Sequence, residues 1–218
     1  YAVLDAGCGT GLAGRQIRDL IANQENGVLV GVDASIKMLD IARQCTFHKG
    51  CESTTTSSVN NIENSDHDSK GDNEGDDNRP LYDSLLQMDL EDMTVDNTLL
   101  DISSTATSTM DGFDLIIAAD VLVYFGTLER IMEIFSNLSS SIRPSYLIFT
   151  CERTTVEEAP LGYRLLPTGR FAHTKHHAVT MATHVGYDLV HYEEIVPRME
   201  REEPVQGHLF VFVKKKQM

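Results

Sequence analysis

Three glycines at alternate positions, Gly7, Gly9 and Gly11, stand between the apolar run Ala2-Val3-Leu4-Asp5 and a segment whose apolar residues Ile17, Leu20 and Ile21 recur at helical spacing. Only glycine turns a chain so sharply and lets backbone come close to a ligand, and the helix that follows presents free N–H groups at its start. A buried strand feeding such a turn predicts a βαβ unit, hence a parallel sheet with a ligand crevice at the carboxyl ends of its strands. Gly9, Gly11 and Gly14 also satisfy G-x-G-x-x-G, a dinucleotide pattern that is weak when taken alone.

The rest of the chain alternates between the two hydrophobic periods. Strands are predicted at Ala2–Asp5, Val28–Asp33, Leu86–Met88, Phe113–Ala118, Ser145–Thr150, Tyr187–Ile195 and His208–Lys214, several as continuous apolar runs of the kind buried on both faces. Further helices are predicted from Met38, Ile41, Ala42 and Cys45 after the N-cap Ser35, from Leu128, Ile131, Met132, Phe135 and Leu138, and from Ala178, Met181, Ala182 and Val185 with Gly186 as the stop. The last two strands have no helix between them and are expected to pair as an antiparallel hairpin. The expectation is a single doubly wound α/β domain over residues 1–218, with a mostly parallel seven-stranded sheet. Two segments interrupt it: residues 52–79, whose large apolar side chains are only Val59 and Ile62, and a milder polar loop over residues 96–112. The first strand begins almost at Tyr1, so the domain reads as truncated at its N-terminus.

Charge and composition exclude several roles. The net charge of −15, of which residues 52–79 carry −6, opposes general binding to a phosphate backbone. No apolar run approaches the ~20 residues that span a bilayer, so no membrane association is expected. Cys8, Cys45, Cys51 and Cys151 form no CxxC pair and no disulfide framework, although Cys45 and Cys51 could meet; a reducing, cytoplasmic setting is expected.

Two acids separate the ligands that a glycine-rich loop can hold. Asp5 ends the first strand, where a carboxylate repels a pyrophosphate and favours a ligand carrying an ammonium and a sulfonium. Asp33 ends the second, placed to accept from a ribose diol. The pair favours S-adenosylmethionine over a nicotinamide dinucleotide. Here the chain resembles the class I S-adenosylmethionine-dependent methyltransferases, whose first motif reads like Leu4-Asp5-Ala6-Gly7-Cys8-Gly9-Thr10-Gly11 and whose next acidic position matches Asp33. Met88-Asp89-Leu90 looks like the family's adenine-edge site, and Phe113 to Leu122 like its fourth strand and the loop bordering the methyl group. The resemblance implies a cofactor set of Asp5, Ala6, Gly7, Cys8, Gly9, Gly11, Asp33, Ala34, Met38, Asp89, Leu90 and Ala119. Residues 120–124 and 163–173 are similar to a subgroup often fused to tetratricopeptide repeats, which implies a repeat domain upstream.

Methyl transfer from a sulfonium is an in-line displacement driven largely by the cofactor, so no obligatory acid–base pair is expected. Where a base assists, the candidates are Asp120, Tyr124 and His173; an acceptor is expected to meet Tyr124, Tyr163, Arg170 and His173, with Arg170 either binding an anionic acceptor or pairing with the acidic surface. Asp120-Val121-Leu122-Val123 stands where adenine and glutamine N-methyltransferases carry Asn-Pro-Pro-Tyr, and the Glu157-Glu158 pair does not read as the loop of protein-arginine methyltransferases. His173, His176 and His177 crowd the start of one helix too closely to face one ion, so they read as a surface cluster and no metal is assigned. The expected partner is a methyl acceptor, either a small molecule or a protein. A cofactor-binding scaffold without catalysis and a nicotinamide-dependent oxidoreductase are the alternatives.

Overall fold

The computed structural model describes residues 1–22, 27–47, 79–99 and 110–215. The acidic insertion, apart from Arg79, lies outside them, as does Cys51 and with it any Cys45–Cys51 pairing.

Seven strands form the main sheet: β1 (Ala2–Ala6), β2 (Val28–Asp33), β3 (Ser84–Gln87), β4 (Leu115–Ala118), β5 (Ser145–Arg153), β6 (Asp188–Ile195) and β7 (Gly207–Lys214). Their spatial order is β3-β2-β1-β4-β5-β7-β6. The first five strands run parallel, with Leu4 opposite both Val30 and Ile116, so their carboxyl ends lie along one edge. β7 inserts antiparallel between β5 and β6, as expected of the terminal hairpin, and its start at Gly207 faces Glu152 near the end of β5. The tip of that hairpin therefore reaches the same edge. The helices are α1 (Leu12–Ala22), α2 (Ile36–Ala42), α3 (Val95–Leu99), α4 (Glu129–Leu138) and α5 (Lys175–His184).

Burial explains why these residues choose these elements. β1 is buried at every position and β2 at all but its last, so only strands covered on both faces suit them. Leu128, Ile131, Met132, Phe135 and Leu138 are all within 1% of full burial and hold α4 on the sheet. Ser35 caps α2 through its hydroxyl, which accepts from the Met38 N–H, and Gly186 ends the α5 region at φ +94°. Phe149, Phe210 and Phe212 pack with centroids 5.1 to 5.9 Å apart and join β5 to β7.

The structure departs from the sequence reading at several points. The third strand is Ser84–Gln87 rather than Leu86–Met88, because its register follows Val30–Asp33 of β2 and leaves Met88 beyond the edge. Residues 96–99 are no loop: they complete α3, with Thr98 and Leu99 buried and the Thr98 hydroxyl bonded to the Thr94 carbonyl. Leu20 is 71% exposed while Ile21 is buried, and on α2 Leu39 and Ala42 face inward while Met38 and Ile41 face out. A short antiparallel ribbon, Tyr163–Leu165 with Phe171–His173, was not foreseen; it extends the sheet past the end of β5. Among the described residues no helix is long and apolar enough to cross a membrane.

Asp114 locks the amino-terminal side of the sheet. Buried at 3% exposure, it accepts from the Ala2 N–H and from the Arg143 guanidinium. Asp114→Ala leaves both donors short of an acceptor and is expected to cost about 3 kcal/mol in urea unfolding. Glu133→Ala, which removes only an exposed pair with Arg130, should cost less than ~0.5 kcal/mol.

Candidate active site

The carboxyl edge gathers its groups around the loop after β1. Gly7, Gly9 and Gly11 adopt φ of +74°, +53° and +89°, a region closed in practice to most side chains. The N–H groups of Gly7 and Cys8 donate to the Val32 carbonyl at 2.8 and 3.0 Å, folding the loop back over β2. At Gly7 a Cβ would lie 2.5 Å from a Val121 methyl, so the segment after β4 closes on one side of the loop. At Gly9 a Cβ would meet nothing within 4 Å, so the other side is open.

Asp33 spans the two elements, its carboxylate accepting from the Gly9 N–H at 2.9 Å and the Ser35 N–H at 2.8 Å. A carboxylate offers about four acceptor directions, so two remain for hydroxyl donors. Asp89 lies exposed two residues past β3, capping the short turn Leu90–Asp92, while the Gln87 amide ties that strand end to the Ala34 carbonyl. Gly7, Gly9, Gly11, Asp33, Ala34, Asp89 and Ala119 are thus brought along one edge, with Met38 exposed at 44% on the adjoining turn of α2.

Other assigned residues sit elsewhere. Asp5 is 1% exposed and cannot meet a ligand charge directly: its carboxylate accepts from the Tyr82 hydroxyl at 2.6 Å, and burial pushes its pKa up to about 6. Tyr82 lies under the loop, its hydroxyl in the space that a side chain on Gly14 would fill. Ala6, Cys8 and Leu90 likewise have buried side chains, which leaves them only their backbone to offer. His173 is fully buried, with Nε2 3.0 Å from the carbonyls of Phe125 and Gly126, and burial lowers its pKa to about 4. It therefore faces no acceptor and acts as a neutral tie between the ribbon and the loop after β4. The surface reading of the three histidines also fails for His177, which accepts from the Leu128 N–H and is buried; only His176 is exposed.

Asp120, held at φ +53°, pairs with Arg198 at 2.5 Å from the hairpin tip. The same guanidinium contacts the buried Glu152 and lies 3.7 Å from Glu200, which in turn lies 3.5 Å from Arg170. Arg170 thus pairs with acid as the second expectation had it. Tyr124 is 64% exposed, and Tyr163 packs on His177 with ring centroids 5.4 Å apart. The sequence reading missed Tyr82, Glu152 and Arg198. No periodic or motif signal marks Tyr82, and Arg198 lies in the connection of the terminal hairpin, outside every motif.

Residues 3–71 match a family model described as "Methyltransferase domain". Among solved structures, an S-adenosylmethionine-dependent methyltransferase from Methanosarcina mazei superposes with a TM-score of 0.60 at 13% identity, covering 99% of this chain and 93% of that one. This chain has the methyltransferase fold. Magnesium protoporphyrin IX methyltransferase from Synechocystis, solved with S-adenosylhomocysteine, gives 0.56 at 16% identity, with coverage of 98% and 73%. The [4+2]-cyclase SpnF gives 0.58 at 12%, with coverage of 99% and 76%. No curated protein matches by sequence. The methyltransferase fold places its glycine-rich loop, Asp33 and the segment after β4 at the edge described above.

Buried titrating groups in this methyltransferase fold set a pH dependence. His173 and His208 are held near pKa 4, chiefly by burial, against 6.5 when free, so the unfolded chain binds more protons between those values and acid destabilises. Asp5, raised from 3.8 to about 6, acts in the opposite sense. The two histidines outweigh it: stability is expected to fall by about 3 kcal/mol from pH 6.5 to 4.5. Asp5→Asn removes the opposing contribution and should deepen the fall by about 2 kcal/mol. Urea midpoints at the two pH values check both; a flat profile would contradict them.

Proposed function

We propose that this chain moves a methyl group from S-adenosylmethionine to an acceptor by in-line displacement, with the cofactor along the carboxyl edge of β1, β2, β3 and β4. The observation that carries the reading is the junction of Gly9 and Asp33: open space over a glycine whose N–H is fixed by a carboxylate with acceptor capacity to spare. The ribose diol donates to Asp33, the backbone after Gly7 lines the methionine part, and Asp89 accepts from the adenine amine. Asp5 and Tyr82 support the loop from below. The bound sulfonium supplies the leaving group.

The protein side of the chemistry is orientation and exclusion of water. Asp120 is engaged by Arg198 and His173 is enclosed, so neither side chain stands open to the acceptor. The acceptor on this reading arrives as a competent nucleophile, a small molecule or a protein side chain, with Tyr124 the exposed polar side chain beside it. A cytoplasmic setting is part of the proposal, supported by the free thiols of Cys8, Cys45 and Cys151. So is an upstream repeat domain, supported by the resemblance of residues 120–124 and 163–173.

Calorimetric titration with S-adenosylmethionine, S-adenosylhomocysteine and NAD tests the reading. Saturable binding of the two adenosyl sulfur compounds with none of NAD is expected, and Asp33→Ala should weaken it at least about tenfold. Binding of NAD alone would replace the reading with an oxidoreductase. Cofactor binding without labelled methyl reaching any screened acceptor would favour a scaffold.

A further inference from the structure

On the other face of β5 from Glu152, a cleft of about 840 Å³ opens between the segment after β5, the start of α5, and β6 and β7. That volume suits a drug-sized molecule. Its walls include the apolar side chains of Val156, Val179 and Leu189, and its charges are unequally compensated. Arg153 pairs with Glu194, and Glu158 accepts from the Thr154 hydroxyl at 2.9 Å and lies 3.3 Å from Arg164. Lys175 is left over. Its ammonium stands 3.5 Å from the centre of the Tyr192 ring and makes no ion pair among the described residues.

The start of α5 also favours a negative group beside Lys175. Lys175 and His176 open the ten-residue α5, so their N–H groups have no partner within the helix, while Thr174 already serves His177. His208 borders the same cleft at 2% exposure and meets the Tyr192 hydroxyl at 3.0 Å through Nδ1, which fixes the ring that Lys175 faces. An ammonium carries three donors, and the ring face engages one direction only.

We propose that this cleft binds a small monoanion with an apolar body, its carboxylate held by Lys175 and the first N–H groups of α5, and its body against Val156, Val179 and Leu189. The proposal does not depend on methyl transfer.

Amide spectra of the whole chain titrated with 1-naphthoate, 1-naphthamide and 1-naphthylmethylammonium, without S-adenosylmethionine, test it. Saturable shifts at Val156, Lys175 and His176 are expected, with naphthoate bound most tightly and the ammonium least. Lys175→Gln should weaken naphthoate at least about tenfold and remove the preference for the anion. Lys215→Gln, an exposed lysine paired with Asp188, should change nothing. Absence of saturable naphthoate binding, equal affinity in Lys175→Gln, stronger binding of the ammonium, or shifts centred on Gly7–Gly11 would each overturn the proposal. Because no adenosyl compound is present, failure here leaves the cofactor reading untouched.

Discussion

The carboxylate of Asp33 accepts two backbone N–H groups, one from the glycine-rich loop of β1 and one from the start of α2. It can do so because parallel pairing sets Ala6 opposite Val32, which delivers the loop to the end of β2 with the N–H groups of Gly7 and Cys8 already on the Val32 carbonyl. A change of register by one residue would turn the side chain of Asp33 to the opposite face and undo the arrangement. The remaining features of the edge depend on this junction. The positive φ angles of the loop, the close approach of Val121 to Gly7 and the opening over Gly9 are its geometric consequences.

A second, charged junction closes the far side. Arg198 reaches from the hairpin tip to Asp120 and Glu152, joining the antiparallel end of the sheet to the loop after β4. Removing a partner would leave Glu152 buried without its counter-charge, a costly state. The pairing also engages the Asp120 carboxylate beside the carboxyl edge. On the proposed reading the edge need only orient reactants, in keeping with a displacement whose driving force resides in a sulfonium.

The sequence made the sheet legible where burial is two-sided. β1 and β2 are near-continuous apolar runs, and α4 keeps its helical spacing without interruption, so their placement follows from pattern alone. It was least legible where side-chain direction depends on partners distant in the chain. Leu20 and Ile21 are neighbours of similar apolarity, yet only Ile21 meets the core. Asp5 reads as a ligand-facing acid from its position at a strand end, but Tyr82, 77 residues away, takes its carboxylate and seals it under the loop. The histidines erred for the same reason: the carbonyls of Phe125 and Gly126 and the N–H of Leu128 draw His173 and His177 inward, and no local pattern records that. The turn at Gly7, Gly9 and Gly11 was readable because positive φ is a local backbone property, whereas the bond from the Gly9 N–H to the Asp33 carboxylate, 24 residues away, left no local signal.

The most direct test is a crystal structure of the chain with S-adenosylhomocysteine. The ribose hydroxyls should lie within hydrogen-bond distance of the Asp33 carboxylate, the adenine amine near Asp89, and the sulfur beside Gly7 and the segment from Ala119 to Val121. A ligand bound elsewhere, or one whose ribose bypasses Asp33, would contradict the account.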